Sequence, residues 1–95
     1  MAQVELARAA VADLEELVRT QSLPSGTRQR VRAVLEPLQR FPRLGAELTG
    51  RWEGFRSTLG PWRWMLLVYV VDEDRDQVVV VTVQDARTST AATGQ

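Results

Sequence analysis

The sequence has no cysteine, no histidine and no lysine; all twelve of its cationic side chains are arginine. Without cysteine there is no disulfide and no thiolate chemistry, and a reducing compartment fits. Without histidine the chain lacks the commonest general base and the commonest transition-metal ligand. No apolar run reaches the roughly 20 residues of a membrane span, and the first residues lack the basic-then-apolar layout of a signal peptide. These points lead us to expect a cytoplasmic protein with no membrane partner and no cofactor. Tyrosine occurs only once. The acidic run Asp72, Glu73, Asp74 and Asp76 lacks the glycine and glutamate spacing of a calcium loop and reads as an exposed hairpin tip.

What the chain does have is an uneven distribution of charge and apolar residues. Its 95 residues make one domain with a single modest core, expected to span 1–95 with a frayed tail from 88. The formal net charge is zero, yet residues 1–27 carry two arginines against four acids, residues 28–63 eight against three, and residues 64–95 two against five. A basic middle of this kind suits a polyanion or an acidic partner. Arginine offers a planar fork that matches phosphate or carboxylate.

Residues 3–6 alternate and read as a short first strand. From about Ala7 the period becomes helical, with Ala10, Leu14, Leu17 and Val18 on one face, ending near Gln21. Leu23-Pro24-Ser25-Gly26 is a turn. A second helix starts near Ser25 or Thr27, either able to cap it, with Val31, Val34, Leu35 and Leu38 as its stripe. Pro37 predicts a kink or an early stop. Ala46 to Gly50 reads as a connector. Strand patterns then cover 52–59, 62–72 and 77–85, with a turn at Gly60-Pro61. The expected fold is α+β: a short first strand, a helical hairpin, and an antiparallel sheet.

Strict alternation along 62–72 places Trp62, Trp64, Leu66, Val68 and Val70 on one face, and Arg63, Met65, Leu67, Tyr69 and Val71 on the other. The first set is expected to pack on Leu14, Leu17, Val31, Val34 and Leu38. The second would then be an apolar face that the helices leave uncovered, so Met65, Leu67 and Tyr69 become candidate partner-binding residues.

The order of these elements resembles the RelE/ParE toxin superfamily of bacterial type II toxin–antitoxin systems. The resemblance rests on Pro42-Arg43-Leu44-Gly45 and Leu48-Thr49-Gly50. It continues through Gly54-Phe55-Arg56, Leu59-Gly60, Trp62-Arg63 and Gln84-Asp85-Ala86-Arg87. It implies an α+β fold, a helical hairpin packed on a twisted antiparallel sheet of about four strands, and a growth-arresting toxin with a cognate antitoxin. RelE-like members cleave messenger RNA on the ribosome without a metal; ParE-like members inhibit DNA gyrase and need no cleavage chemistry. A non-toxic binding module of the same fold is a third reading, and a homodimer is left open. On the nuclease reading Arg63 and Arg87 are the candidate catalytic cations, with Arg56 steering RNA nearby. Antiparallel pairing of the last two strands should bring position 63 beside 85 or 86, and Arg56 should face the same end. Asp85 is the one acid expected there, and if it pairs with these arginines the cluster is structural. RelE-like nucleases often carry a tyrosine after the last arginine, where this chain has Thr88, Ser89, Thr90 and Ala91.

Overall fold

The computed structural model describes residues 1–88. Strand β1 (Gln3–Leu6) leads into helix α1 (Arg8–Thr20), and α2 (Thr27–Leu35) follows, extended by a 3-10 turn over Glu36–Gln39. The remaining strands are β2 (Ala46–Glu47), β3 (Arg56–Leu59), β4 (Met65–Asp72) and β5 (Gln77–Asp85). They form one sheet in the order β1-β5-β4-β3-β2, in which β1 runs parallel to β5 and every other pair is antiparallel. The expected frayed tail lies outside the described residues except for Thr88, whose amide and hydroxyl both donate to the Asp85 carbonyl.

The helices follow from the apolar spacing. Ala10 and Leu14 are buried along α1, and Val31 and Leu35 along α2. At Pro37 the ring removes a backbone donor, and the chain tightens into the 3-10 turn as the sequence predicts. Neither expected cap forms. Gly26 holds the cap position, and the Thr27 hydroxyl turns back to donate to the Pro24 carbonyl at 2.6 Å. A cleft of about 850 Å³ opens between the two helices and β1; Arg28, in its lining, pairs with Glu15 at 2.7 Å.

The sheet has five strands rather than about four. The extra one is β2, in the stretch read as a connector, where Ala46 and Glu47 pair with Ser57 and Arg56. Strand β3 is shorter than predicted because Gly50–Trp52 forms a 3-10 turn and Gly54 adopts φ +93°. Strand β5 matches its predicted bounds. It carries a bulge: Val68 faces Thr82 and Tyr69 faces Val80, so Val81 is the extra residue. The bulge shifts the alternation, and Val78, Val80 and Val83 all reach the helical core. The pairing of β1 with β5 ends at Leu6, after which the Ala7 amide donates once more to the Val80 carbonyl at 2.9 Å. There Asp13 of α1 accepts hydrogen bonds from the Thr82 hydroxyl at 2.5 Å and the Val83 amide at 3.3 Å.

The face assignment of β4 is the reverse of the expected one. Met65, Leu67 and Tyr69 are fully buried under the helices, beside Leu14, Val31, Leu35 and Leu38. Leu66 and Val68 face the other way. Three side chains with 0% exposure offer no surface to a partner, so the partner-binding role expected for Met65, Leu67 and Tyr69 is withdrawn. The strand begins at Met65, not at residue 62, and the turn over 61–64 breaks the count of alternation. That turn lets Trp62 and Trp64 lean onto the helical core as expected, while Leu66 and Val68 do not follow them. The second sheet face is not bare. Leu48, Trp52 and Phe55, from the segment before β3, fold over Leu66, Val68 and Val81. Trp52 and Phe55 meet edge to face with centroids 5.7 Å apart.

Candidate cationic site at the end of the sheet

The start of β4 and the end of β5 lie side by side. Met65 pairs with Asp85, and the Ala86 amide donates to the Trp64 carbonyl at 2.7 Å. This register delivers Arg87 to the turn that holds Trp62, Arg63 and Trp64, as antiparallel pairing predicts. The two indoles stack at 6.3 Å and 28°. The Arg87 guanidinium lies 4.7 Å from the Trp64 ring, and Arg30 of α2 lies 5.5 Å from the Trp62 ring. The order is Arg30, Trp62, Trp64, Arg87, a ladder in which each outer cation faces an aromatic π-surface. Arg63 sits between the two tryptophans in sequence and is exposed; among the described residues its side chain has no ion pair.

Arg87 is engaged by a carboxylate. Its Nε and a terminal nitrogen donate to the two Asp85 oxygens at 2.9 and 2.8 Å, and its own amide donates to Asp85 at 2.9 Å. These bonds hold the Asp85 carboxyl below its ordinary range, the side-chain bonds from Arg87 foremost, and they raise the Arg87 guanidinium further. Asp85 thus pairs with Arg87 and, among the described residues, with no other arginine.

Arg56 does not join the cluster. It pairs with Tyr69, four residues along β4 from Met65, about 13 Å at the usual strand rise. Its guanidinium donates to the Arg43 carbonyl at 3.1 Å, to the Gly45 carbonyl at 2.9 Å and to Glu47 at 2.9 Å. The expectation that it faces the Gly60-Pro61 end fails because residue 59, not 56, adjoins that turn. Tyr69 works from beneath the same loop. Its hydroxyl donates to the Pro42 carbonyl and accepts from the Gly45 amide, both at 2.8 Å. Burial, the largest effect, pushes this phenol above its ordinary value of 10.0.

Sequence reasoning thus put the backbones around Arg63 and Arg87 at one end of the hairpin and missed Arg30 and the stacked tryptophans. The Trp-Arg-Trp spacing carried a signal for the stack once the turn is recognised. Arg30 comes from a helix more than thirty positions earlier, and nothing local announces it. Among the described residues no group of acidic side chains is arranged to hold a metal ion. No described helix is long and apolar enough to cross a membrane.

A helical pair on one face of a five-stranded sheet, with a cationic end, defines the chain as a protein of the RelE/ParE toxin fold. A family model described as the ParE toxin of the type II toxin–antitoxin system parDE matches residues 4–89, and the chain belongs to that family. Among solved structures it is similar to a chain of the toxin–antitoxin complex RelBE2 from Mycobacterium tuberculosis, at 25% identity over 88% of this chain and 90% of that one, with a TM-score of 0.61. It also resembles the chromosomal ParDE system of P. aeruginosa, at 17% identity over 92% and 98% of the two chains (TM-score 0.69). The E. coli RelBE complex superimposes with a TM-score of 0.65, at 20% identity over 93% and 100%. Below 25% identity the likeness speaks for the fold. No curated protein matches the chain. The family is one of toxins of type II toxin–antitoxin systems, and this chain is a member of it.

Proposed function

We propose that this toxin arrests growth by holding a protein target, as ParE-like inhibitors of DNA gyrase do, and not by cutting messenger RNA. The observation that carries this reading is the engagement of Arg87 by Asp85 through two side-chain hydrogen bonds. Cleavage by a 2′-hydroxyl needs a base, an acid and cations free to meet the developing phosphate charge. Of the three arginines nominated for that work, Arg87 is held by a carboxylate, Arg56 fastens a loop, and Arg63 stands alone. The one tyrosine is fully buried and protonated, with both its hydrogen bonds made to backbone. The chain has neither histidine nor lysine to serve as the base.

Two assays with the purified protein test this. Gyrase supercoiling of relaxed plasmid should be inhibited, and the cognate antitoxin should relieve the inhibition. Ribosome-bound messenger RNA should stay intact. Cleavage by the wild type that disappears in Arg63→Ala and Arg87→Ala would replace this reading with the nuclease one.

A further inference from the structure

We infer that the toxin holds its target through the arginine–tryptophan ladder, and that the target lays an acidic segment across Arg30, Trp62, Arg63 and Trp64. This rests on the reading above, that the target is a protein, and names the chemistry of the segment held. Two cations of the ladder have no counter-charge. Arg30 and Arg63 are exposed, and among the described residues neither side chain has an ion pair. The acids of the neighbouring elements are engaged already. Asp85 is held by Arg87. On α1, Glu15 pairs with Arg28, Glu16 with Arg19, and Asp13 accepts from Thr82 and Val83. Carboxylates of an incoming chain therefore gain at this end of the sheet, and a basic segment would be repelled.

The rings themselves decide between an acidic peptide and a nucleic acid. A single strand bound without sequence preference needs open aromatic faces for its bases as well as cations for its backbone. Here those faces are occupied. Trp62 and Trp64 stack on each other, while Arg30 lies over Trp62 alone and Arg87 over Trp64 alone, so each guanidinium takes the outer face of its ring. A partner is left the ring edges and the cations. A carboxylate needs no more than that, because the planar guanidinium meets it with two hydrogen bonds, as Arg87 already does with Asp85.

The platform is ordered before a partner arrives. The Gly60 amide donates to the Met65 carbonyl at 2.8 Å and the Met65 amide to the Trp62 carbonyl at 3.0 Å, which closes the turn; the bond from Ala86 to Trp64 ties it to the end of β5. Gly60 lies directly on the Met65 side chain, whose sulfur would stand 2.8 Å from a Cβ placed there. The π-contact with Trp62 in turn orients Arg30. A target therefore has little ordering left to supply, and it meets tryptophan and arginine, the residue types on which contact energy concentrates.

The test uses gyrase supercoiling with the wild type, Arg63→Glu, Arg30→Glu and Arg8→Glu. Arg8, at the start of α1, is exposed and has no ion pair among the described residues, so its reversal changes the net charge equally at another place. Circular dichroism and thermal melting confirm folding, and Arg30→Gln replaces Arg30→Glu if the latter does not fold. The two ladder variants should each raise the half-inhibitory concentration about tenfold or more, while Arg8→Glu shifts it less than about twofold. Failure of the wild type to inhibit gyrase brings down the target reading, and this surface with it. Inhibition by either folded ladder variant within about twofold of wild type overturns the surface alone. So does equal weakening by Arg8→Glu, which would reduce the effect to net charge. Loss of antitoxin binding with inhibition retained would give the ladder to the antitoxin. A single-stranded RNA oligonucleotide bound by the wild type and released by Arg63→Glu, with inhibition unchanged, would give it to nucleic acid. Each of these two results also overturns the inference.

Discussion

Tyr69 shows how much one side chain can organise. Its ring is fully buried in the helical core, and its hydroxyl is the only polar part to leave it, meeting Pro42 and Gly45. Tyr69→Phe keeps the ring and orphans one carbonyl and one amide, at a cost of about 1–3 kcal/mol in urea unfolding. The same residue sets an alkaline limit. Its folded pKa lies above the unfolded value of 10.0, chiefly through burial. Above pH 10 the unfolded chain therefore loses this proton first. The contribution is fully present below that pH and is lost as pH rises through the folded value. Urea midpoints from pH 8 to 11 should fall at the alkaline end for wild type and fall less for Tyr69→Phe. Equal slopes would show that the phenol is not the group responsible.

At the scale of elements, strands and helices with a distinctive pattern were legible and the strand faces were not. Strand β5 and helix α1 were readable because valine runs and a leucine stripe admit one period each. Strand β4 reads Met-Leu-Leu-Val-Tyr-Val-Val, apolar on both sides, so no polar residue fixes its parity. Counting from Trp62 then inverted every residue from Met65 onward. Two-residue β2 was too short to show a period. The bulge at Val81 hides inside an unbroken valine run, where no change of residue type marks it. In the candidate site, β4–β5 pairing made the adjacency of the Arg63 and Arg87 segments legible, whereas the β3–β4 register, not countable from sequence, removed Arg56. The corrected faces make a sharp contrast. Leu67→Ala should cost roughly 2–5 kcal/mol as a core deletion, and half-exposed Leu59→Ala should cost less than about 1 kcal/mol. Asp13→Ala strips the acceptor from the Thr82 hydroxyl and the Val83 amide. It should cost roughly 1–3 kcal/mol and speed hydrogen exchange at the Val83 amide, while Glu16→Ala, on the exposed side of the same helix, should do neither.

The whole molecule is polar along its longest hairpin. The eight residues of β4 separate the arginine–tryptophan ladder from the acidic tip by about 26 Å at the usual strand rise. Zero net charge therefore conceals two ends of opposite sign, each able to orient an approaching partner at low salt. The connection between first and last strands has a different outcome, in time. Gln3 sits beside Gln77 and Leu6 beside Val80, so the sheet closes across nearly the full length of the chain. Contacts so distant in sequence form slowly, because a long loop must close before they contribute. Helix α1 rests chiefly on β5 and has no surface to lie on until that strand exists. A ribosome partway through this chain therefore carries no completed toxin, and the native fold can arise only after residues 77–85 have emerged. Pulse-labelled hydrogen exchange during refolding should show the β3–β4–β5 meander protected before β1.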